Sequence, residues 1–377
     1  MKIGYWAATV GPYNMLRIIG EAGQLRGHEV VSAPRESAPD PEIFTDCDVF
    51  IMCPSSREIG AEIALIKAHP ETPLVVVEDV PGAMSRKAFV ESGCADGAFV
   101  FLAMPQSQWK NEAFALGYFD VGYVGPPPHW GPSYQQMVAE YNMRPLLQKR
   151  YRSSSNLSPL RPLDEVDFYS GTKDSVVVNR VLAGMKSAGT SKWGDHFVLG
   201  FKEHPGEKPH RSMKGYEKAE AAYQSAIEER EQILSDVWNL DFTQLTEDCL
   251  SRGGSLLSAL LKSADIPILT ASGATESIVA AYARLHVFLY TDDDVSRGLR
   301  DNVYADGRWF VSELGGALVI NGPNGFKDAF DTFHSSSVWQ ERLKALQHSW
   351  EKNFPLPKTW DTAPLITKKI EDALMFS

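Results

Sequence analysis

The stretch Leu74-Val75-Val76-Val77-Glu78-Asp79-Val80-Pro81-Gly82 decides how the rest of the chain is read. Four consecutive β-formers without polar alternation predict a buried strand, and Pro81-Gly82 stops it at once. Such strands belong to parallel sheets covered by helices on both faces. Glu78 and Asp79 then stand at the carboxyl edge of the sheet, the rim where open α/β folds bind ligands. A carboxylate there can take a proton from an attacking hydroxyl. Asp79 can equally cap a turn or a helix start. Both acids are the candidate catalytic residues.

Outward from this strand, residues 1–150 alternate strand and helix. Strands are predicted at Lys2–Tyr5, His28–Ala33, Asp48–Cys53, Gly97–Leu102 and Val121–Val124. Helices are predicted at about Tyr13–Arg26, Ile59–His69, Met84–Ser92 and Gln106–Leu116, the first stopped by Gly27. This order implies a doubly wound parallel sheet. A helix over Tyr134–Gln148 leads into Arg150-Tyr151-Arg152-Ser153-Ser154-Ser155, where clustered serine and proline predict a linker.

The α/β pattern resumes over 164–354. Strands are predicted at Val166–Ser170, Phe197–Lys202, Ile266–Ala271 and Val287–Tyr290. Helices are predicted at Ser175–Ser187, Tyr216–Trp238, Leu256–Ser263, Thr275–Arg284, Trp339–Asn353 and Pro364–Met375. The expected fold class is α/β, with two Rossmann-like doubly wound domains facing a cleft. Residues 355–377 are expected to pack back on the first domain.

The chain has 377 residues, 44% of them hydrophobic and 23% charged, enough to bury two cores. Its formal net charge of −11 repels polyanions, so nucleic-acid binding would need a local basic groove. No apolar run is long enough to predict a transmembrane helix. The amino terminus reads as a first strand and not as a signal peptide. Cys47, Cys53, Cys94 and Cys249 lack metal-ligand spacing and suit reduced thiols in a cytoplasmic protein. Walker A, G-x-G-x-x-G, H-E-x-x-H and paired Cys-x-x-Cys patterns are absent from the sequence.

Four loops of the second half follow predicted strands. Ser170-Gly171-Thr172-Lys173 offers backbone N–H groups, a helix N-terminus and one cation, a combination suited to phosphate but also found in ordinary turns. In Glu203-His204-Pro205-Gly206 the proline holds His204 in an extended backbone, placing an imidazole at a strand edge. Ser272-Gly273-Ala274-Thr275-Glu276-Ser277 joins hydroxyls and amides ahead of a helix, an anion site that is also a capping box. Asp292-Asp293-Asp294 is either a cation or sugar ligand or a solvated turn. Trp6, Tyr13 and Trp130 are candidates to stack a flat acceptor or sugar.

Together these residues resemble the GT-B superfamily of glycosyltransferases. Met1-Lys2-Ile3-Gly4 with Arg26-Gly27-His28-Glu29-Val30 looks like that family's first β-α-β, and Tyr123-Val124-Gly125-Pro126-Pro127 like the close of its first domain. His204-Pro205 is similar to the HP motif of bacterial members. The strand ending Glu78-Asp79 looks like the segment bearing the catalytic aspartate of phage DNA β-glucosyltransferases, and Ser170–Lys173 matches their phosphate loop, with lysine in place of arginine. Ala280 and Ala281 stand where many members place a ribose-binding glutamate; either Glu276, a turn earlier, or another loop would take its place.

The resemblance implies an inverting, metal-independent glycosyltransferase with no tightly bound cofactor. Asp79 would act as base. Gly171, Thr172, Lys173, His204, Ser272, Gly273, Thr275, Glu276 and Ser277 would hold a nucleotide-sugar donor, a UDP-sugar first. The expected acceptors are a glycan, a small molecule or hydroxymethylated DNA, the last supported by Lys149-Arg150-Tyr151-Arg152. A nucleotide-sugar 2-epimerase is a further expectation.

Overall fold

The structure of the chain, a computed structural model, describes residues 1–35, 38–54, 59–79, 82–103, 107–131, 167–170, 175–194, 198–202, 208–209, 215–235, 238–240, 268–271, 287–291, 318–333, 336–355, 357 and 359–375. They fall in two compact units: one built on the first 131 residues and taking back the carboxyl-terminal segment, the other holding the described residues between 167 and 355.

The first unit carries six parallel strands, β1 Lys2–Tyr5, β2 Glu29–Ser32, β3 Val49–Met52, β4 Leu74–Val77, β5 Phe99–Leu102 and β6 Asp120–Tyr123, in the order β2-β1-β3-β4-β5-β6. Winding reverses between β1 and β3, so the topological switch point lies at the carboxyl ends of those two strands. The central strands β3, β4 and β5 are buried at every position, as continuous apolar runs demand in a sheet covered on both faces. The helices are α1 Val10–Leu25, α2 Ile59–Ala68, α3 Lys87–Glu91 and α4 Ser107–Ala115, with 3₁₀ turns at Pro41–Phe44 and Ala83–Ser85.

Helices α1 and α2 and the six strands lie within a few residues of their sequence-based positions. The helix expected over Met84–Ser92 is instead a 3₁₀ turn and the short α3, split at Arg86, whose extended backbone interrupts the helical run.

The second unit also has six parallel strands: β7 Asp167–Ser170, β8 Val198–Lys202, β9 Trp238–Leu240, β10 Ile268–Ala271, β11 Val287–Thr291 and β12 Leu318–Asn321. Their order is β12-β11-β10-β7-β8-β9, the full Rossmann arrangement with its switch point between β7 and β10. Its described helices are α5 Ser175–Trp193, α6 Tyr216–Leu234, α7 Gly325–Phe333 and α8 Ser336–Asn353. The helix expected to run to Trp238 ends at Leu234, because residues 238–240 pair with β8 as an edge strand. Strand β12 and helix α7 had no counterpart in the sequence reading.

Val178, Val181 and Leu182 of α5 pack on Leu199, Tyr290 and Phe326 to form this unit's core. A buried polar lock joins α5 to α6: Asn179 donates to the Ala226 carbonyl at 2.8 Å and accepts from Arg230 Nε at 3.2 Å.

Helix α9, Ala363–Met375, belongs to the first unit and lies against α1. Ile366 and Ile370 are fully buried in the same cluster as Ile3, Leu16 and Ile19. Gly23 lets the two helices approach: a Cβ there would stand 3.8 Å from Thr367 and 3.1 Å from Ile3. At the surface, Glu371 accepts from Arg26 Nε at 2.7 Å and pairs with His28 Nε2 at 2.6 Å. Among the described residues no helix is long and apolar enough to cross a membrane.

Candidate functional site at the rim of the first sheet

Beyond β4 the chain turns sharply, and the carboxylate of Glu78 organises the turn. Oε1 accepts from the amides of Gly82 at 2.8 Å and Met84 at 3.4 Å, and Oε2 accepts from Ala103 at 3.0 Å, just past β5. Gly82 takes a left-handed φ of 83°, which a side chain would strain. The 3₁₀ turn is secured by Ser85 Oγ, donating to the Gly82 carbonyl at 2.9 Å, and by Tyr118, whose hydroxyl donates to the Met84 carbonyl at 2.9 Å.

Glu78 is 3% exposed. Burial pushes its pKa up to about 7, against the pull of the three amides, and the neighbouring Asp79 charge adds to the rise. Both of its oxygens are engaged, so Glu78 holds the loop in shape.

Asp79 is the open member of the pair. The residue is 7% exposed, and Oδ1 is sealed from solvent with no hydrogen-bond partner among the described residues. A buried carboxylate oxygen without a partner is costly, and buried polar atoms are paired almost everywhere else in proteins.

The chain leaving β6 returns over the same carboxyl edge. Val124 N donates to the Leu102 carbonyl at 3.3 Å; Gly125 then takes a φ of 93° and three prolines follow. The turn closes through Trp130 N to the Pro127 carbonyl at 3.0 Å and Gly131 N to that of Pro128 at 3.3 Å. Thr362, just ahead of α9, donates to the Pro126 carbonyl at 2.9 Å and ties this loop to the carboxyl-terminal helix.

His129 lies within this turn, with its ring edge-on to Trp130 at 6.2 Å. Its Nδ1 is buried and has no hydrogen-bond partner among the described residues. Burial pushes its pKa down, and the Asp79 carboxylate opposes that shift. The sequence reading passed over His129; its signal is tertiary, since it rests on a charge that follows another strand.

At the switch point the first loop is held from both sides. Ala8 N donates to Glu62 Oε1 at 3.2 Å, Arg35 Nη1 donates to the Ala8 carbonyl at 3.4 Å, and Trp6 Nε1 donates to the Pro34 carbonyl at 3.0 Å. Trp6 and Trp130 are 3% and 1% exposed, so neither offers a ring face to a ligand. Tyr13 leans on Tyr5, with centroids 6.0 Å apart. For Trp6 and Trp130 the expected stacking role is therefore corrected to core packing, because indole rings of that size gain more from burial against the sheet than from standing in water, while Tyr13 is half-buried.

The donor-site candidates Gly171, Thr172, Lys173, His204, Ser272, Gly273, Thr275, Glu276 and Ser277 lie outside the described residues, as do Asp292-Asp293-Asp294 and Lys149–Arg152. The strands that lead into three of these loops are described, and their carboxyl ends lie side by side. Ser170 is in register with Lys202 of β8, and also with Thr270 of β10. Among the described residues no three His, Cys, Asp or Glu side chains gather as metal ligands.

No protein-family model matches the chain, and no curated protein matches its sequence. Solved structures do. The chain is similar to the UDP-GlcNAc 2-epimerase from Neisseria meningitidis bound to UDP-GlcNAc, with 11% identity, 100% of both chains covered and a TM-score of 0.51. It is similar to S. aureus MnaA in a co-structure with UDP, with 13% identity, 91% of each chain covered and a TM-score of 0.52. At these identities the likeness speaks of architecture. Joined to the two strand orders above, it gives the chain an α/β fold of GT-B type, built from Rossmann-like parallel sheets.

Proposed function

We propose that this protein is a nucleotide-sugar enzyme, a glycosyltransferase that moves a sugar from a UDP-sugar to an acceptor hydroxyl. The observation that carries this reading is Asp79, a buried carboxylate with an unpaired oxygen at the sheet edge where doubly wound folds bind ligands. A group kept in that costly state at such a place is a candidate for chemistry.

The general base is assigned to the Asp79 side of the first unit's rim. The donor diphosphate is assigned to Gly171, Thr172, Lys173, His204 and the Ser272–Ser277 loop, whose parent strands β7, β8 and β10 are neighbours. Amides and cations on the diphosphate would stabilise the leaving group, so the reaction is written without a metal. One base and direct displacement give inversion at the anomeric carbon. A UDP-sugar is favoured because the similar structures hold UDP-GlcNAc and UDP. A cytoplasmic location fits Cys47, Cys53 and Cys94, which form no disulfide among the described residues.

A 2-epimerase is the second reading, favoured by the architecture shared with one such enzyme. The net charge of −11 places hydroxymethylated DNA behind a glycan or small molecule as acceptor.

Product analysis with UDP-GlcNAc separates the readings. An epimerase converts the sugar with no acceptor present. A transferase releases UDP when an acceptor is added, in a panel that includes monosaccharides, oligosaccharides and hydroxymethylated DNA. Failure of UDP-, GDP-, CMP- and CDP-sugars alike to bind or react would overturn both.

A further inference from the structure

Helices α5 and α7 of the second unit flank an open groove of about 500 Å³. Its polar lining is Arg180, Ser187 and Ser191 from α5, with Asn324 and Lys327 from the turn into α7 and its first residues. We propose that this groove binds a sugar monophosphate. Arg180 and Lys327 take the phosphate, and Ser187, Ser191 and Asn324 take the sugar hydroxyls. None of these residues belongs to the transferase machinery assigned above, and the proposal does not rest on it.

The spacing in α5 builds one wall. Arg180, Gly184, Ser187 and Ser191 recur at i, i+4, i+7 and i+11, so they share a face of the helix. A Cβ on Gly184 would stand 2.6 Å from the Phe326 ring, so α7 lies close against α5 there. The small side chains of Ala183, Ser187 and Ala188 leave the space beside this contact unfilled.

The other wall follows β12. Gly322, at a φ of 66°, turns the chain, and Gly325 N donates to its carbonyl at 3.1 Å. Pro323 and Asn324 thereby come to line the groove, with Lys327 in the first turn of α7. Farther along, Lys192 Nζ donates to the Phe330 carbonyl at 3.0 Å and pairs with Asp331 at 2.9 Å. Both walls are fixed in the free protein, so a ligand has little to order on arrival.

The lining selects its ligand by what it holds and what it lacks. Arg180 and Lys327 are cations, and no carboxylate lines the groove among the described residues. In a chain of net charge −11 this local field opposes the global one and favours an anion. Lys327 is exposed and has no ion pair among the described residues, so its charge is available to a ligand. Two cations match the charge that a phosphate monoester carries near neutral pH. Two hydroxyls and a primary amide both donate and accept, as sugar hydroxyls require of a partner. No aromatic ring lines the groove among the described residues, so a nucleobase would have nothing to stack on. A sugar monophosphate meets all of these conditions, and the volume is in the range of small-molecule sites.

Isothermal titration calorimetry of the full-length protein at low salt, with glucose 6-phosphate, inorganic phosphate and glucose, tests the assignment. Glucose 6-phosphate should bind saturably at one site per chain, about tenfold or more tighter than inorganic phosphate, and glucose alone should give no isotherm. Lys327→Glu and Ser187→Trp change exposed helix positions and should leave the melting temperature close to that of wild type. Each should weaken glucose 6-phosphate binding about tenfold or more, the first by repulsion and the second by filling the groove. Lys327→Arg should retain binding, because the charge is kept.

Three results overturn the proposal: no saturable binding by wild type up to about 10 mM, equal affinity for inorganic phosphate, or binding unchanged in both Lys327→Glu and Ser187→Trp. Excess UDP should leave the glucose 6-phosphate isotherm as it was. Displacement by UDP would put the phosphate in the donor loops and overturn the proposal as well. Because no arm of the experiment needs turnover, its outcome is independent of the transferase reading.

Discussion

Glu78 Oε2 accepts the amide of Ala103 at 3.0 Å, so the exit of β4 and the exit of β5 are fastened to one carboxylate. Its other oxygen fastens the turn at Gly82 and Met84. The geometry of the rim, and with it the direction Asp79 faces, depends on this clasp.

Glu78→Gln tests it. The amide replaces an acceptor by a donor opposite backbone N–H groups, at a cost of about 1–3 kcal/mol. The pH dependence carries a sign. A folded pKa raised from 4.5 to about 7 means that the folded state holds the proton longer than the unfolded chain. Stability is then highest below the unfolded value, declines as pH rises toward about 7 and is flat above, by at most about 3 kcal/mol. Urea melts from pH 4.5 to 8 should show this decline in wild type and lose it in Glu78→Gln.

Glu371 has the opposite sign. The Arg26 hydrogen bond, and then His28, hold its carboxyl at about 2. Its contribution is present above the unfolded value and is lost as pH falls through about 2. The pair is largely solvated, so the gain is small. Glu371→Gln should speed amide hydrogen exchange in 363–375 at pH 7, with little change in the global melt. Exchange equal to wild type would show that the apolar face of α9 holds the helix unaided.

Gly184→Ala should destabilise the second unit. A Cβ there would stand 2.6 Å from the ring of Phe326, which is fully buried and stacked on Tyr290 at 5.5 Å. Alanine gains about 1 kcal/mol of helix propensity over glycine. Overpacking a ring with no room to shift costs about 1–3 kcal/mol. The net loss should appear as a lower denaturant midpoint; an unchanged or higher midpoint would show that the ring moves freely.

A cognate UDP-sugar at hundredfold excess over its Kd should stabilise the protein by about 3 kcal/mol. In a thermal melt that is a shift of several degrees. Asp79→Asn should keep the shift and lose turnover, since the donor is assigned to the other unit. Loss of both would place Asp79 in donor binding.

Much of the fold was legible because its strands announce themselves. Val75, Val76 and Val77 are each within 1% of complete burial, as an uninterrupted run of β-branched residues requires. Trp238-Asn239-Leu240 is too short to carry a period, and Trp238 read as the last residue of the charged helix before it. Leu318–Asn321 had no counterpart in the sequence analysis.

At the site, the sequence located the rim and its acids but could not divide their labour. Glu78 differs from Asp79 through amides that arrive from Met84 and Ala103. Those are distances in space, and no window along the chain contains them.

Helix α9 has a consequence for biosynthesis. Ile366 and Ile370 complete the interior that Ile3 and Ile19 begin, so the first sheet cannot be sealed until α9 has been translated. A nascent chain holds the greasy flank of α1 open until α9 emerges, and that flank is where a ribosome-bound chaperone would find it.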